Sequence, residues 1–354
     1  MIWILVFGFY AFLMLAYAYG WLKSQRKTDK GDVAECPKIT VVVSLRNEES
    51  AVEHLMNQFE NQSFKDFNLI LVDDNSTDNT AALLQKYADG NKIIFVKANN
   101  QGKKQAIRQA VSIIDEGLVV CTDADCSFGA FWLESIVNTY RQTNADLLIG
   151  PVMMDKNKPL QALEFLSLSA VTGGSAFIKR PVMCNGANLA FVVDVYKSVM
   201  KHLHDEQASG DDMFLLSAIK LYGGNIEYIL DTNAIVTIEG KSQLNAFLNQ
   251  RARWVSKSKA YTDREIMFVG ATVVSAQLLL ILSLILIPWQ RSLLLFWLVK
   301  YIFDLPLLFL ASRFFKQESL LLWSIPASLL YPFYVATSII FAMIGKIEWK
   351  GRKI

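Results

Sequence analysis

Two aspartates one residue apart, Asp123 and Asp125 in TDADCSF (122–128), follow directly on the apolar run GLVVC (117–121). In an extended chain side chains two apart point the same way, so both carboxylates leave a strand end together and repel each other unless a cation joins them. Hard oxygen donors suit Mg2+ or Mn2+, ions that bind through a few carboxylates and keep positions open for substrate phosphates. A DxD pair by itself is more often a solvated loop, so its company decides what it means.

That company is extensive. LVDDNSTDNT (71–80) sets Asp73 and Asp74 at the end of an earlier apolar run, where a carboxylate can accept from a base or a ribose. NNQGKKQAI (99–107) offers a glycine loop with Lys103 at a helix start, a combination suited to a phosphate. SGDD (209–212) opens a helix with Asp211 and Asp212, whose plainer role is to complement the helix dipole. In FLNQRARWVSK (247–257) helical spacing puts Gln250, Arg253 and Trp254 on one face and turns Arg251 elsewhere. An amide, a guanidinium and an indole suit a diphosphate and a sugar ring, although Trp254 alone equally fits a membrane-interface aromatic.

These residues need a scaffold. From about 38 to 150 short β-branched runs alternate with amphipathic segments (ITVVVS, AVEHLMNQF, NLILVD, AALLQKY, IIFVK, AIRQAVSII, GLVVCT, FWLESIVNTY). That rhythm predicts an α/β domain with a parallel sheet, and continuous apolar strands fit a sheet covered on both faces. Ser76-Thr77 marks a start for a helix over 78–88. Past 150 the spacing predicts helices near 159–172, 211–221 and 242–261 with short strands near 226–238, a half expected to build the second wall of a cleft.

The chain is 53% hydrophobic with a net charge of +2, and the apolar excess is concentrated at its ends. Residues 2–22 carry no charge and are long enough to cross a bilayer, and apolar segments recur over 266–288, 293–312 and 319–345. No basic residue precedes the first run, whereas Lys23, Arg26, Lys27 and Lys30 follow it, the order of an anchor with its C-terminal side cytosolic rather than of a cleaved signal peptide. Arg251, Arg253, Lys257, Lys259 and Arg264 form a cluster suited to an anionic leaflet. Four spans would leave the basic tail 346–354 outside unless one segment lies along the interface or re-enters, and both remain open. Lys300 and Asp304 lie four apart in an apolar span, either as an ion pair or as the lining of a lipid or glycan path. The four cysteines form no CxxC pair and read as free thiols, while His202 and His204 suggest no zinc cluster. With basic residues gathered beside membrane segments, no nucleic-acid partner is expected.

Read in order, SLRNEES (44–50), VDDNSTD (72–78), GKKQAI (102–107), TDAD (122–125), GANLAF (186–191), GDD (210–212) and QRARW (250–254) resemble the membrane-bound inverting family 2 glycosyltransferases with a GT-A fold. The resemblance covers about 38 to 260 and the flanking membrane segments. It implies a nucleotide-diphospho-sugar transferase (Rossmann-like) domain over 38–262, an N-terminal anchor over 1–22 and a membrane region over 266–345. It also implies that Asp73, Asp74, Lys103, Asp123 and Arg253 bind the donor, that Asp125 ligates a divalent cation (Mg2+ or Mn2+), and that Asp212 is the general base. Asp211, Gln250, Trp254, Gly186 and Asn188 would lie on the acceptor side, although Val192 and Val193 stand where relatives often carry arginine.

The implied partners are a nucleotide-sugar, a UDP-sugar by the family's habit, and a lipid or lipid-linked saccharide acceptor in a multi-pass membrane protein with a cytosolic catalytic domain (plasma or inner membrane if bacterial). The alternatives are a processive polysaccharide synthase of the same family and a non-catalytic membrane protein that binds nucleotide-sugars or glycans.

Overall fold

Strand β1 (Ile39–Leu45) is buried along almost its whole length, as a strand covered on both faces must be. The computed structural model, which describes residues 1–24, 35–203, 210–344 and the backbone of one short hairpin, places it near the middle of a seven-stranded sheet. It pairs in parallel with β2 (Phe67–Asp73) and β4 (Leu118–Asp123), and β3 (Ile93–Lys97) lies outside β2. The connections run through helices α2 (Glu49–Glu60), α3 (Thr80–Tyr87) and α4 (Lys103–Ser112). Leu45 faces Asp73 across one ladder and Ser44 faces Asp123 across the other, so these carboxylates emerge at the same edge, on either side of β1.

The second half of the chain is continuous with the first through the sheet. Its strands β6 (Leu147–Ile149), β8 (Leu189–Val192) and β9 (Ile226–Tyr228) complete the same sheet in the order β3-β2-β1-β4-β8-β6-β9, with β8 antiparallel to both neighbours. A smaller sheet, β5 (Ser127–Phe128), β10 (Val236–Ile238) and β7 (Val152–Met154), sits beside it. Helices α5 (Trp132–Thr143), α6 (Pro159–Phe177), α7 (Val193–Val199), α8 (Asp211–Tyr222) and α9 (Leu244–Ser256) complete this half.

Two helix limits differ from expectation. Helix α3 begins at Thr80, because Ser76 and Thr77 are bonded to the β1–α2 loop through Asn47, while Asp78 accepts from the Thr80 amide and hydroxyl. Helix α9 ends at Ser256 and continues only as a tight 3-10 turn to Ala260.

Asn188, placed on the acceptor side by the resemblance, is fully buried and cannot reach an acceptor. Its amide nitrogen donates to the Pro151 and Ala234 carbonyls at 2.9 and 2.8 Å, and its oxygen accepts from the Trp132 indole at 3.1 Å. It bolts the two sheets together. Gly150 permits this, since a Cβ there would lie 2.1 Å from the Asn188 amide carbon.

Four helices are long and apolar enough to cross a membrane: α1 (Ile2–Ser24), α10 (Arg264–Leu286), α11 (Leu294–Phe314) and α12 (Ser324–Ile344), the last two each preceded by a 3-10 turn. Helix α1 meets α6 closely, with the Trp21 indole donating to the Ala170 carbonyl at 2.8 Å. Lys300 pairs with Asp304 at 2.6 Å, and Tyr10 of α1 donates to the other carboxylate oxygen at 2.6 Å, so the pair ties helices together rather than lining a path. Arg26, Lys27, Lys30 and His204 lie outside the described residues, as do the side chains of the tail; its strands β11 (Glu348–Trp349) and β12 (Arg352–Lys353) form the hairpin.

Asn188→Leu fills the site with similar bulk but leaves the Ala234 carbonyl and the Trp132 indole without the partner that Asn188 gave them, while the Pro151 carbonyl keeps only the Val236 amide. It is expected to cost about 1–3 kcal/mol for each group left unpaired, read as a lowered melting temperature, and wild-type melting would show that the bolt contributes nothing.

Candidate active site

The edge where β1, β2 and β4 end is organised first by backbone. Arg46, buried just past β1, donates to the Asp74 and Asn75 carbonyls at 2.9 and 2.8 Å. Asp73 accepts from the Ser76 amide at 3.2 Å, and the Asp74 carboxylate accepts from the Gly102 amide at 2.8 Å. Gly102 has φ 107, a conformation that glycine alone adopts readily, so its N–H turns back toward Asp74 while α4 starts at the next residue. Burial raises the Asp74 carboxyl above the ordinary range, opposed by the Gly102 amide and Arg46. Both aspartates therefore shape the loops; Asp73 is 1% and Asp74 0% exposed.

Lys103 is the hub. Its ammonium lies 2.5 Å from the Asp123 carboxylate and 3.5 Å from the Gly186 carbonyl. Burial pulls the Lys103 pKa down, but Asp123, Asp211 and Asp212 outweigh it and hold the group well above its ordinary value. Lysine is thus a permanent cation here. The resemblance sets Lys103 against a diphosphate; in this structure it neutralises Asp123, so the repulsion built into TDAD is already partly relieved.

Asp211 and Asp212 occupy the first turn of α8. Asp212 accepts from the Gly186 amide at 3.1 Å and from the Met213 amide at 2.8 Å, which fixes the carboxylate plane. Gly186 therefore sits between Lys103 and Asp212. Burial raises the Asp211 carboxyl, with Lys103 opposing and Asp212 adding to the rise. Behind both acids is a cavity of about 20 Å³, reaching Lys104 and Tyr196, enough for a water but for no acceptor sugar.

Arg253 of α9 faces the same acids. Burial lowers its pKa while Asp123, Asp212 and Asp211 draw it back up, so the guanidinium lies within electrostatic reach of the same carboxylates that hold Lys103 charged. Its neighbours on QRARW do otherwise. Gln250 accepts from Arg251 at 2.7 Å, and the Trp254 ring lies under the Arg251 guanidinium at 4.2 Å from its centroid, with Phe165 at 6.4 Å on α6. Arg251 is 2% exposed and pairs with Glu164. It is therefore not part of a surface cluster for an anionic leaflet. Glu164 escaped sequence reasoning, although a lone acid among apolar residues in PLQALEFLSLS was a signal that a buried cation must meet it.

The donor set around TDAD fits a hard divalent cation. Asp123, Asp125 and Cys126 offer ligand atoms within 4.8 Å of one another, and Asp125 is exposed to solvent. Cys126 is buried and its thiol pKa is pushed well above normal by burial and both aspartates, so it remains a neutral thiol. Two carboxylates with open positions are the O-ligand pattern of Mg2+ or Mn2+. The remaining cysteines described are free thiols, as expected.

Residues 40–166 match the family description "Glycosyl transferase family 2" and residues 118–343 match "Glycosyl transferase family group 2". Over 95 residues the chain is 32% identical to the poly-beta-1,6-N-acetyl-D-glucosamine synthase of Staphylococcus aureus (strain COL), a match covering 27% of this chain and 23% of that protein. Over 120 residues it is 28% identical to the cholesterol galactosyltransferase of Borreliella burgdorferi, covering 33% of each. The matches thus span a third or less of these relatives. In three dimensions it is similar to the mannosyltransferase PcManGT from Pyrobaculum calidifontis, solved with GDP-Man and Mn2+, with a TM-score of 0.60 and 16% identity over 98% of this chain and 99% of that one. At that identity the likeness bears on the fold.

A carboxyl with a raised folded pKa contributes stability below its unfolded value and loses it as pH rises through the folded one. Asp211→Asn, which stays neutral, is expected to melt higher than wild type at about pH 8, an advantage that shrinks as pH falls toward the carboxylate range. Melting curves across pH test this, and an advantage growing on acidification would contradict it.

Proposed function

Because this chain belongs to the family 2 group of glycosyl transferases, with the GT-A fold, we propose that it moves a sugar from a nucleotide-sugar, UDP-linked in the first instance, to a lipid or lipid-linked saccharide acceptor with inversion. The observation that carries this reading is the convergence at one sheet edge of two cations, Lys103 and Arg253, on Asp123, Asp211 and Asp212. A cationic pair around a carboxylate cluster can receive a diphosphate and still leave one carboxylate to take a proton.

In this reading Asp212 accepts the proton of an acceptor hydroxyl, and the oxygen attacks the anomeric carbon as the bond to the diphosphate breaks on the far side. The Gly186 and Met213 amides each hold one oxygen of the carboxylate, and each oxygen keeps a lone pair to take the proton. Lys103 and Arg253 meet the charge that develops on the departing diphosphate, which requires Lys103 to release Asp123 or to share its donors. Asp125, with Asp123, would hold Mg2+ or Mn2+, which when bound supplies further positive charge to that leaving group. Asp73 and Asp74 keep the nucleoside end of the site in shape, and Trp254 and Gln250 border the acceptor side.

The four apolar helices support a membrane-seated enzyme, and Lys23 in the last turn of α1, the one charge on that helix, supports a cytosolic catalytic domain. A membrane acceptor then reaches the site from the side on which α9 and α12 lie. The similarity to a poly-N-acetylglucosamine synthase favours, as a second reading, a processive polymerase.

Full-length protein in detergent or bilayer discs, offered a panel of UDP- and GDP-sugars with a lipid extract, is expected to give a single-sugar glycolipid by mass. A polymer ladder would instead select the second reading. Asp212→Asn is expected to lose about 10²–10⁴-fold in turnover while binding the donor nucleotide as wild type does, and joint loss of binding and turnover would remove the base role. Asp125→Ala is expected to abolish Mn2+-stimulated donor hydrolysis.

A further inference from the structure

Helix α9 carries two arginines two positions apart that point to different worlds. Arg253 addresses the carboxylates of the site. Arg251 is enclosed: its guanidinium pairs with Glu164 of α6, donates to Gln250 at 2.7 Å and donates from Nε to the Tyr334 hydroxyl of α12 at 3.2 Å. The same hydroxyl donates to the second Glu164 oxygen at 2.9 Å, which closes a ring of three side chains from three helices. The rings of Phe247 and Trp254 cover the guanidinium, with centroids at 4.6 and 4.2 Å. Phe247 in turn lies 5.6 Å from the Tyr334 ring.

A buried ion pair is a poor source of stability, and apolar residues of similar volume often serve as well or better. What a planar guanidinium held at several nitrogens supplies is orientation. Successive residues of an α-helix are turned by about 100°, so fixing the direction of Arg251 fixes that of Arg253 on the same short helix. The stacked Trp254 is set by the same contact.

We propose that Arg251 is a positioning residue. Clamped by Glu164 and by Tyr334 of a membrane-type helix, it sets the rotation of α9, so that Arg253 reaches the donor side and Trp254 borders the acceptor, and it couples the site to the position of α12. The inference rests on the transfer reading above for its kinetic consequence, but not for its structural one.

The test uses full-length protein and three variants: Tyr334→Phe, Arg251→Lys, and the apolar double variant Arg251→Met/Glu164→Leu. With the nucleotide-sugar that wild type turns over, kcat for transfer to the acceptor is expected to fall about tenfold to a hundredfold in Arg251→Lys and in the double variant. The fall in Tyr334→Phe is expected to be smaller, and donor KM should change less than about twofold in all three. Amide exchange over 247–256 is expected to quicken in each variant, with the central sheet still protected.

A double variant that folds and transfers at the wild-type rate would overturn the proposal, because the ring would then be only structural. A donor KM rising in step with the loss of kcat, or unchanged amide exchange in α9, would overturn it as well. Should wild type turn over no nucleotide-sugar, the transfer reading fails separately, and the exchange measurement still decides whether the ring holds α9.

Discussion

The interaction on which the site depends is the attraction of two cations for a group of carboxylates that could not otherwise share one sheet edge. Asp123 leaves β4 while Asp211 and Asp212 open α8, and their mutual repulsion in a partly buried setting would push the elements apart. Lys103 at the start of α4 and Arg253 on α9 both counter it. The acids secure the charge on Lys103, since burial alone pulls its pKa down. The acids in turn are tolerable because of the cation. A diphosphate entering such a site displaces carboxylate from ammonium instead of meeting a bare negative wall, and a divalent ion on Asp123 and Asp125 would complete the exchange.

Position follows from architecture. Parallel pairing of β1 with β2 and β4 brings Asp73 and Asp123 to one edge, and the loop after β1 is locked by Arg46 and Asn47 to the loop after β2. Gly102 links that loop to the start of α4, which delivers Lys103. The α8–α9 side is built differently, from helices that also touch the apolar helices. There α9 serves two masters: Arg253 addresses the carboxylates, and Arg251 belongs to α6 and α12. In the transfer reading proposed above, acceptor and donor meet at one carbon, and a helix braced against both regions is the part able to hold that register.

Much of this was legible in the residues. The βα rhythm over 38–150, the apolar segments that become α1, α10, α11 and α12, and the ordered motifs from SLRNEES to QRARW all follow from local patterning, which a chain carries with it wherever it goes. The pairing of Lys300 with Asp304 was readable for the same reason, being one helical turn apart. The limits of α3 were not, because Ser76 and Thr77 are claimed by Asn47 from a loop thirty positions earlier rather than by their own helix.

By itself, then, the amino-acid sequence determined the fold class, the membrane-type segments and which charged residues stand at the ends of the strands and helices that meet at one sheet edge, since these depend on periodicity and on motif order. Only the tertiary structure decided what each side chain spends itself on. Asn188 became a bolt between sheets, Lys103 a counter-ion to Asp123, and Arg251 a clamp on Tyr334 rather than a surface charge. The reason is that a buried polar group must find a partner, and the partner is chosen by proximity in space, at separations such as the 170 positions between Glu164 and Tyr334, which no local pattern encodes.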